Sequence, residues 1–130
     1  MSYIPKYILK RMFASDAVKT VPGGIEITMT NVISPLSVDE VPDDVENYIE
    51  FTVDGKPLEA AKKKDIRFSF GEKSFSIENA KEFAGVVIPV GEKITFFAPV
   101  SGLEPGTEHE IGITIKTDNP FQLAVSRVVQ

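Results

Sequence analysis

Gly24-Ile-Glu-Ile-Thr-Met-Thr-Asn31 alternates Ile25, Ile27 and Met29 with Glu26, Thr28 and Thr30. A period of two sends successive side chains to opposite faces of an extended chain, so this stretch is a strand with one face in a core and one in water. Pro22-Gly23-Gly24 supplies the turn before it. The same signature recurs along the chain. Ile49-Glu-Phe-Thr-Val53 alternates and runs into Asp54-Gly55, a dipeptide suited to the positive φ angles of a two-residue hairpin turn, with a return strand through Pro57 and Leu58.

Ile66-Arg-Phe-Ser-Phe70 and Ser74-Phe-Ser-Ile77 flank Gly71-Glu72-Lys73 and read as a second hairpin, with Phe68, Phe70, Phe75 and Ile77 expected in the core. Residues 78–83 have the propensity for one or two helical turns, ended by Gly85. Residues 86–89, 93–97, 109–115 and 122–128 complete about eight strands at regular spacing. The expected fold is therefore all-β: an antiparallel β-sandwich of immunoglobulin-like or jelly-roll type, with one or two short helical turns. No repeat or linker divides the chain, so residues 1–130 form one domain. Residues 1–20 fit neither period, and Pro5 argues against an early helix; they are expected to form a strand or a docking arm.

A chain of 130 residues is long enough for a single core, and 42% hydrophobic with 25% charged residues is the composition of a globular protein. No apolar run reaches the length of a membrane span, and Lys6, Lys10 and Arg11 interrupt any signal-peptide core, so the expected address is the cytoplasm, without membrane contact. A net charge of −5 speaks against a nucleic-acid partner, which needs a basic patch. Lys62-Lys-Lys64 reads as a solvated loop. The acidity is local: between Pro22 and Gly55 there are eight acidic residues and no Lys or Arg.

That acidity peaks in Ser37-Val-Asp-Glu-Val-Pro-Asp-Asp-Val-Glu-Asn-Tyr48. Calcium favours such carboxylates, but an EF-hand loop alternates its acids around a central Gly, whereas here Pro42 separates two acidic pairs. A glycosidase pair needs carboxylates facing each other across a cleft, which adjacent acids seldom do. Pro42 instead suits a first helical position, and Asp43 and Asp44 complement the positive end of a helix dipole. The expected object is one short helix. Upstream, Val32, Ile33, Pro35, Leu36 and Val38 form an apolar segment that proline bars from a central strand. Together with Pro42, Asp43 and Asp44 it reads as an interface, apolar centre with a charged rim.

Nucleophilic catalysis finds little here. His109 is the only histidine, there is no cysteine, and no Gly-x-Ser-x-Gly elbow or phosphate loop occurs, so no cofactor or metal site is expected on this chain. Gly102-Leu-Glu-Pro-Gly-Thr-Glu-His-Glu-Ile-Gly-Ile113 resembles the corner of fibronectin type III and related sandwiches, with His109 about where those carry a tyrosine. The resemblance gives His109 a structural role, a ring bonded back to the loop.

Taken in order, Lys6-Tyr-Ile-Leu-Lys-Arg-Met12, Asn31-Val-Ile-Ser-Pro-Leu-Ser37, Val53-Asp-Gly55 and Gly102-Leu-Glu-Pro-Gly106 resemble the small β subunit of bacterial C-glycoside deglycosidases over nearly the whole chain. The resemblance implies a β-sandwich bound to a larger TIM-barrel α subunit that carries a divalent metal and the general base. The complex would cleave the carbon–carbon bond between a 3-oxo sugar and an aromatic aglycone by elimination across C1 and C2. No catalytic residue maps onto this chain. The alternatives are a freestanding immunoglobulin-like module that binds carbohydrate or protein, and a calcium-dependent adhesion-type domain.

Overall fold

The alternation of residues 24–30 becomes a strand in which Ile25, Ile27 and Met29 are buried and the residues between them half-exposed. The computed structural model describes residues 5–32, 35–37, 44–116 and 121–130. Along the chain lie helix α1 (Lys6–Met12), β1 (Val18–Val21), β2 (Gly24–Thr30), β3 (Leu36–Ser37), a 3-10 turn (Val45–Tyr48), β4 (Ile49–Val53) and β5 (Lys56–Pro57). Helix α2 (Ala60–Lys63), β6 (Arg67–Phe70), β7 (Lys73–Ser76), a second 3-10 turn (Ala80–Phe83), β8 (Val87–Ile88), β9 (Lys93–Ala98), β10 (Glu108–Ile115) and β11 (Phe121–Val128) follow.

Among the described residues every strand pairing is antiparallel. One sheet runs β1-β2-β9-β6-β7, a second β11-β10-β4-β5, and β3 and β8 form a two-stranded ribbon. The inward residues of both main sheets meet in one cluster: Ile25, Ile27 and Ile94 from the first, Phe51, Ile111 and Leu123 from the second. This is the all-β sandwich that the alternation predicts. Complete burial of each such side chain contributes about 1.5–3 kcal/mol, which makes this seam the main source of stability.

The turns follow their residues. Val53 pairs with Lys56, leaving Asp54-Gly55 as a two-residue loop with φ of 53° and 81°, the type I′ geometry whose twist matches that of the strands. Phe70 pairs with Lys73 around Gly71-Glu72.

At the N-terminus the structure departs from expectation: residues 6–12 form a helix rather than a strand or arm. Pro5 stands just outside it, and its carbonyl accepts the bonds from Ile8 N (3.0 Å) and Leu9 N (3.1 Å). At that position the missing proline N–H costs nothing, because the first N–H groups of a helix lack partners anyway. The helix packs on the sandwich through Met12 and then Phe13, which is 1% exposed. Strand β1 overlaps the end of the 1–20 stretch expected to hold a strand or docking arm; it forms a tight hairpin with β2 around Pro22-Gly23, and on its other edge Gln130 N donates to Val18 O (2.9 Å).

Two smaller expectations also change. Lys62 and Lys63 lie in helix α2, not in a loop. Of the four aromatic and aliphatic residues assigned to the core in the 66–77 hairpin, Phe75 alone is buried; Phe68, Phe70 and Ile77 are half-exposed. This hairpin is the outer edge of the five-stranded sheet, and the opposing sheet has one strand fewer to cover it. Phe68 stacks on Phe75 with centroids 5.5 Å apart.

Candidate functional site

Two places gather the residues that the sequence singles out. The first is the ribbon of β3 and β8. Asn31, at the end of β2, is 2% exposed, and it is the one buried polar residue among those described. Its side-chain amide donates to Ile88 O (3.1 Å) and Pro89 O (3.3 Å). Its backbone N–H donates to Glu92 O (2.9 Å), and its carbonyl accepts from Gly91 N (2.7 Å). A buried amide with so many backbone partners acts as a clamp, fixing residues 88–92 against the start of the 31–37 segment.

The clamp has a consequence for the surface. Leu36 pairs with Ile88 and Ser37 with Val87, so the segment expected to be an interface lies beside a second apolar one. Ile88 faces the core, whereas Val87 and Val90 are 54% and 53% exposed, and Pro35 and Pro89 are exposed too. Val32 is half-buried against the core. The result is an apolar ridge built from two segments. Ile33, Val38, Pro42 and Asp43 lie outside the described residues. Asp44 is exposed and sits at the N-cap position of the 3-10 turn, where Asn47 bonds its carboxylate (3.2 Å) and its carbonyl (2.9 Å). The helical structure described there is this single turn from Val45.

The second place is the corner. Asp54 leaves β4 in the left-handed region, and its carboxylate accepts from His109 Nδ1 (2.6 Å) and Glu110 N (2.9 Å). On the other side of the ring, His109 Nε2 lies 2.9 Å from Thr107 Oγ1, which donates to Glu104 O (2.5 Å). The His109 bond first, then the Glu110 N–H, hold the Asp54 carboxyl below the usual carboxylate range.

Hydroxyl, imidazole and carboxylate in a row have the order of a nucleophilic triad. The proton positions do not. A carbonyl only accepts, so the Thr107 proton is directed to Glu104, and Nε2 faces the hydroxyl oxygen rather than the proton that a general base must take. The arrangement is a clasp between the β4–β5 turn and the 102–110 corner, in which the ring's partners are the side chains of Asp54 and Thr107 rather than the loop backbone. Beside it opens a cleft of ≈ 330 Å³ lined by Phe51, Val53, Asp54, Lys56, Leu58 and Leu103 among others.

Among the described residues no three His, Asp or Glu side chains gather as a metal set, and no helix is long and apolar enough to cross a membrane. Compared with protein-family models and with curated proteins, the chain matches neither.

The sequence missed Val87 and Val90 as parts of this surface, and the buried role of Asn31 beneath it. A usable signal was present: Val86-Val-Ile-Pro-Val90 holds four β-branched apolar residues around a proline, more apolar side chains than a two-residue strand can bury.

Proposed function

We propose that this chain is the small β subunit of a heteromeric C-glycoside deglycosidase built from two kinds of chain, holding no metal itself, and that the ridge of Pro35, Val87, Pro89 and Val90 docks on its TIM-barrel α subunit. The observation that carries the reading is the ridge: exposed valines and prolines on two paired segments, one of them bonded by a buried amide. Apolar side chains kept in water at a fixed geometry favour association, because contact removes their surface from solvent without a further ordering cost. The partner's identity comes from the family resemblance in the four quoted motifs.

In this reading the α subunit supplies the divalent metal and the base. A 3-keto group on the sugar acidifies the proton at C2; its removal would form the C1–C2 double bond as the C1–aglycone bond breaks, the aglycone leaving with the bonding pair and taking up a proton at its ring carbon. The β subunit stabilises the barrel in a cytoplasmic hetero-oligomer and contributes no catalytic side chain. Co-expression with a TIM-barrel chain of this kind tests it. Stable co-purification is expected, with deglycosylation of a 3-oxo C-glycoside only when both chains are present. A barrel chain equally active and stable alone would refute the proposal.

The cleft beside Asp54 favours a second reading, a freestanding binding module whose ligand enters between the β4–β5 turn and residues 99–103. Calorimetric titration of the isolated chain with simple sugars distinguishes the two. A saturable heat of binding supports the module, and its loss in Leu103→Asp places the ligand in the cleft.

A further inference from the structure

The two main sheets end in four edge strands, β1, β7, β5 and β11. An open edge offers unpaired N–H and C=O groups to any other strand, and monomeric proteins guard such edges with proline, charge, shortness or a covering segment. Among the described residues, three of the four are guarded in those ways. β5 is two residues long and includes Pro57, which has no N–H. β1 is bridged by Gln130, whose N–H donates to Val18 O (2.9 Å) and whose carbonyl accepts from Thr20 N (3.0 Å). β7 has four residues and begins with the exposed Lys73.

β11 is different. It runs for eight residues, and its first six, Phe-Gln-Leu-Ala-Val-Ser, contain no charge, proline or glycine. Its one charged residue, Arg127, is turned away, donating to Phe13 O (2.8 Å) and Ala14 O (3.2 Å). Gln122, Ala124 and Ser126 are exposed on the outer face, while Leu123 and Val125 face the core.

The strand also matches itself. Antiparallel partners share a sheet face, so a two-fold axis through Ala124 sets Ala124 against its own copy, Gln122 against Ser126 and Leu123 against Val125. Small faces small, polar faces polar and apolar faces apolar. Arg127 stands opposite residue 121 of the copy, away from the other Arg127, so no like charges oppose each other across the pair.

We propose that this chain forms a two-fold dimer by antiparallel pairing of β11 with β11 of a second copy, joining two four-stranded sheets into one of eight strands. The contact is isologous and closes on itself, which limits assembly to two copies. It uses an edge distinct from the ridge assigned to the α subunit, so each of the two proposals stands or falls without the other.

Sedimentation velocity on the isolated chain, from low micromolar to several hundred micromolar, is expected to give a monomer–dimer equilibrium. Ala124→Lys puts two ammonium groups face to face on the axis and is expected to weaken dimerisation by about tenfold or more, whereas Ala124→Ser leaves it unchanged. Circular dichroism confirms that both variants fold. The natural chain has no cysteine, so Ala124→Cys gives a clean cross-linking site. Directly opposed residues of an antiparallel pair lie about 4.5–5.5 Å apart at Cα, within disulfide reach. Rapid disulfide formation is expected for Ala124→Cys and not for Ser74→Cys on the β7 edge. A wild-type monomer at every concentration, a dimer insensitive to Ala124→Lys, or equal cross-linking at the two cysteines would overturn the proposal.

Discussion

Replacing Asn31 with alanine tests the clamp beneath the ridge. The substitution removes the amide that donates to Ile88 O and Pro89 O, leaving both carbonyls short of a donor at a site where the side chain is 2% exposed. Each buried bond of this kind contributes about 1 kcal/mol net, and the vacated volume adds to that, giving a loss of about 2–3 kcal/mol. An unfolding entropy of about 2.1 cal/mol/K per residue makes each kcal/mol about 3.7 °C for 130 residues. The melting temperature is therefore expected to fall by about 7–11 °C. The two backbone bonds at Asn31 persist, so the damage is local: amide exchange is expected to accelerate first in residues 87–92, while β2 and β10 keep their protection. Asn31→Asp is expected to be worse than alanine at neutral pH, because an acceptor-only carboxylate then faces two carbonyl oxygens. A fall of less than about 2 °C for Asn31→Ala, or acceleration spread evenly over the sandwich, would refute the clamp.

Three further outcomes follow from the geometry. Asp54 is held below its ordinary range by His109 and Glu110, and Glu50 by Lys116, whose ammonium lies 2.6 Å away. Carboxyls lowered on folding stabilise the fold above their unfolded range and lose that contribution as pH falls through the folded value. Thermal melts are therefore expected to weaken as pH falls through and below the ordinary carboxylate range, and Asp54→Asn to flatten that limb; an unchanged limb would contradict the clasp. Gly24→Ala brings a Cβ onto the backbone carbonyl of Ala98, which cannot step aside, and is expected to cost about 3 kcal/mol in urea unfolding. Gly55→Ala meets no atom within 4 Å and bears only its positive φ, about 1 kcal/mol; the reverse order would undo the steric reading. Val87→Asp with Val90→Asp, both exposed, is expected to leave the isolated chain within about 0.5 kcal/mol of wild type while abolishing capture of the barrel chain; retained capture would remove the ridge from the interface.

The strands were legible where one face is buried and the partner follows soon after. Ile25, Ile27 and Met29 alternate because β2 lies on a single core, and Asp54-Gly55 announces its turn because few other dipeptides take two positive φ angles. The bounds of β1 were not legible, since Val18-Lys-Thr-Val21 does not alternate; its hairpin with β2 is local, but Gln130 on its other edge is a partner that local pattern does not reveal. The N-terminal helix was hidden by Pro5, whose effect depends on whether it stands inside the first turn or just ahead of it.

The candidate surface divides along the same line. Pro35 and Leu36 stood out as an apolar segment interrupted by proline, a property of neighbouring residues. That Val87 and Val90 continue it depends on an amide at Asn31 reaching 57 residues along the chain. His109 was given a corner role by the resemblance of residues 102–113 to a fibronectin-type corner, but its partner Asp54 lies 55 residues away, where the sequence showed only a turn.

The proposal that this chain is a β subunit is tested most directly by reconstitution: co-expression of this chain with a TIM-barrel partner, followed by assay of a 3-oxo C-glycoside for aglycone release. The account predicts a stable complex that releases aglycone, with neither chain active alone. A barrel chain that performs the reaction at the same rate and with the same stability without this sandwich would contradict it.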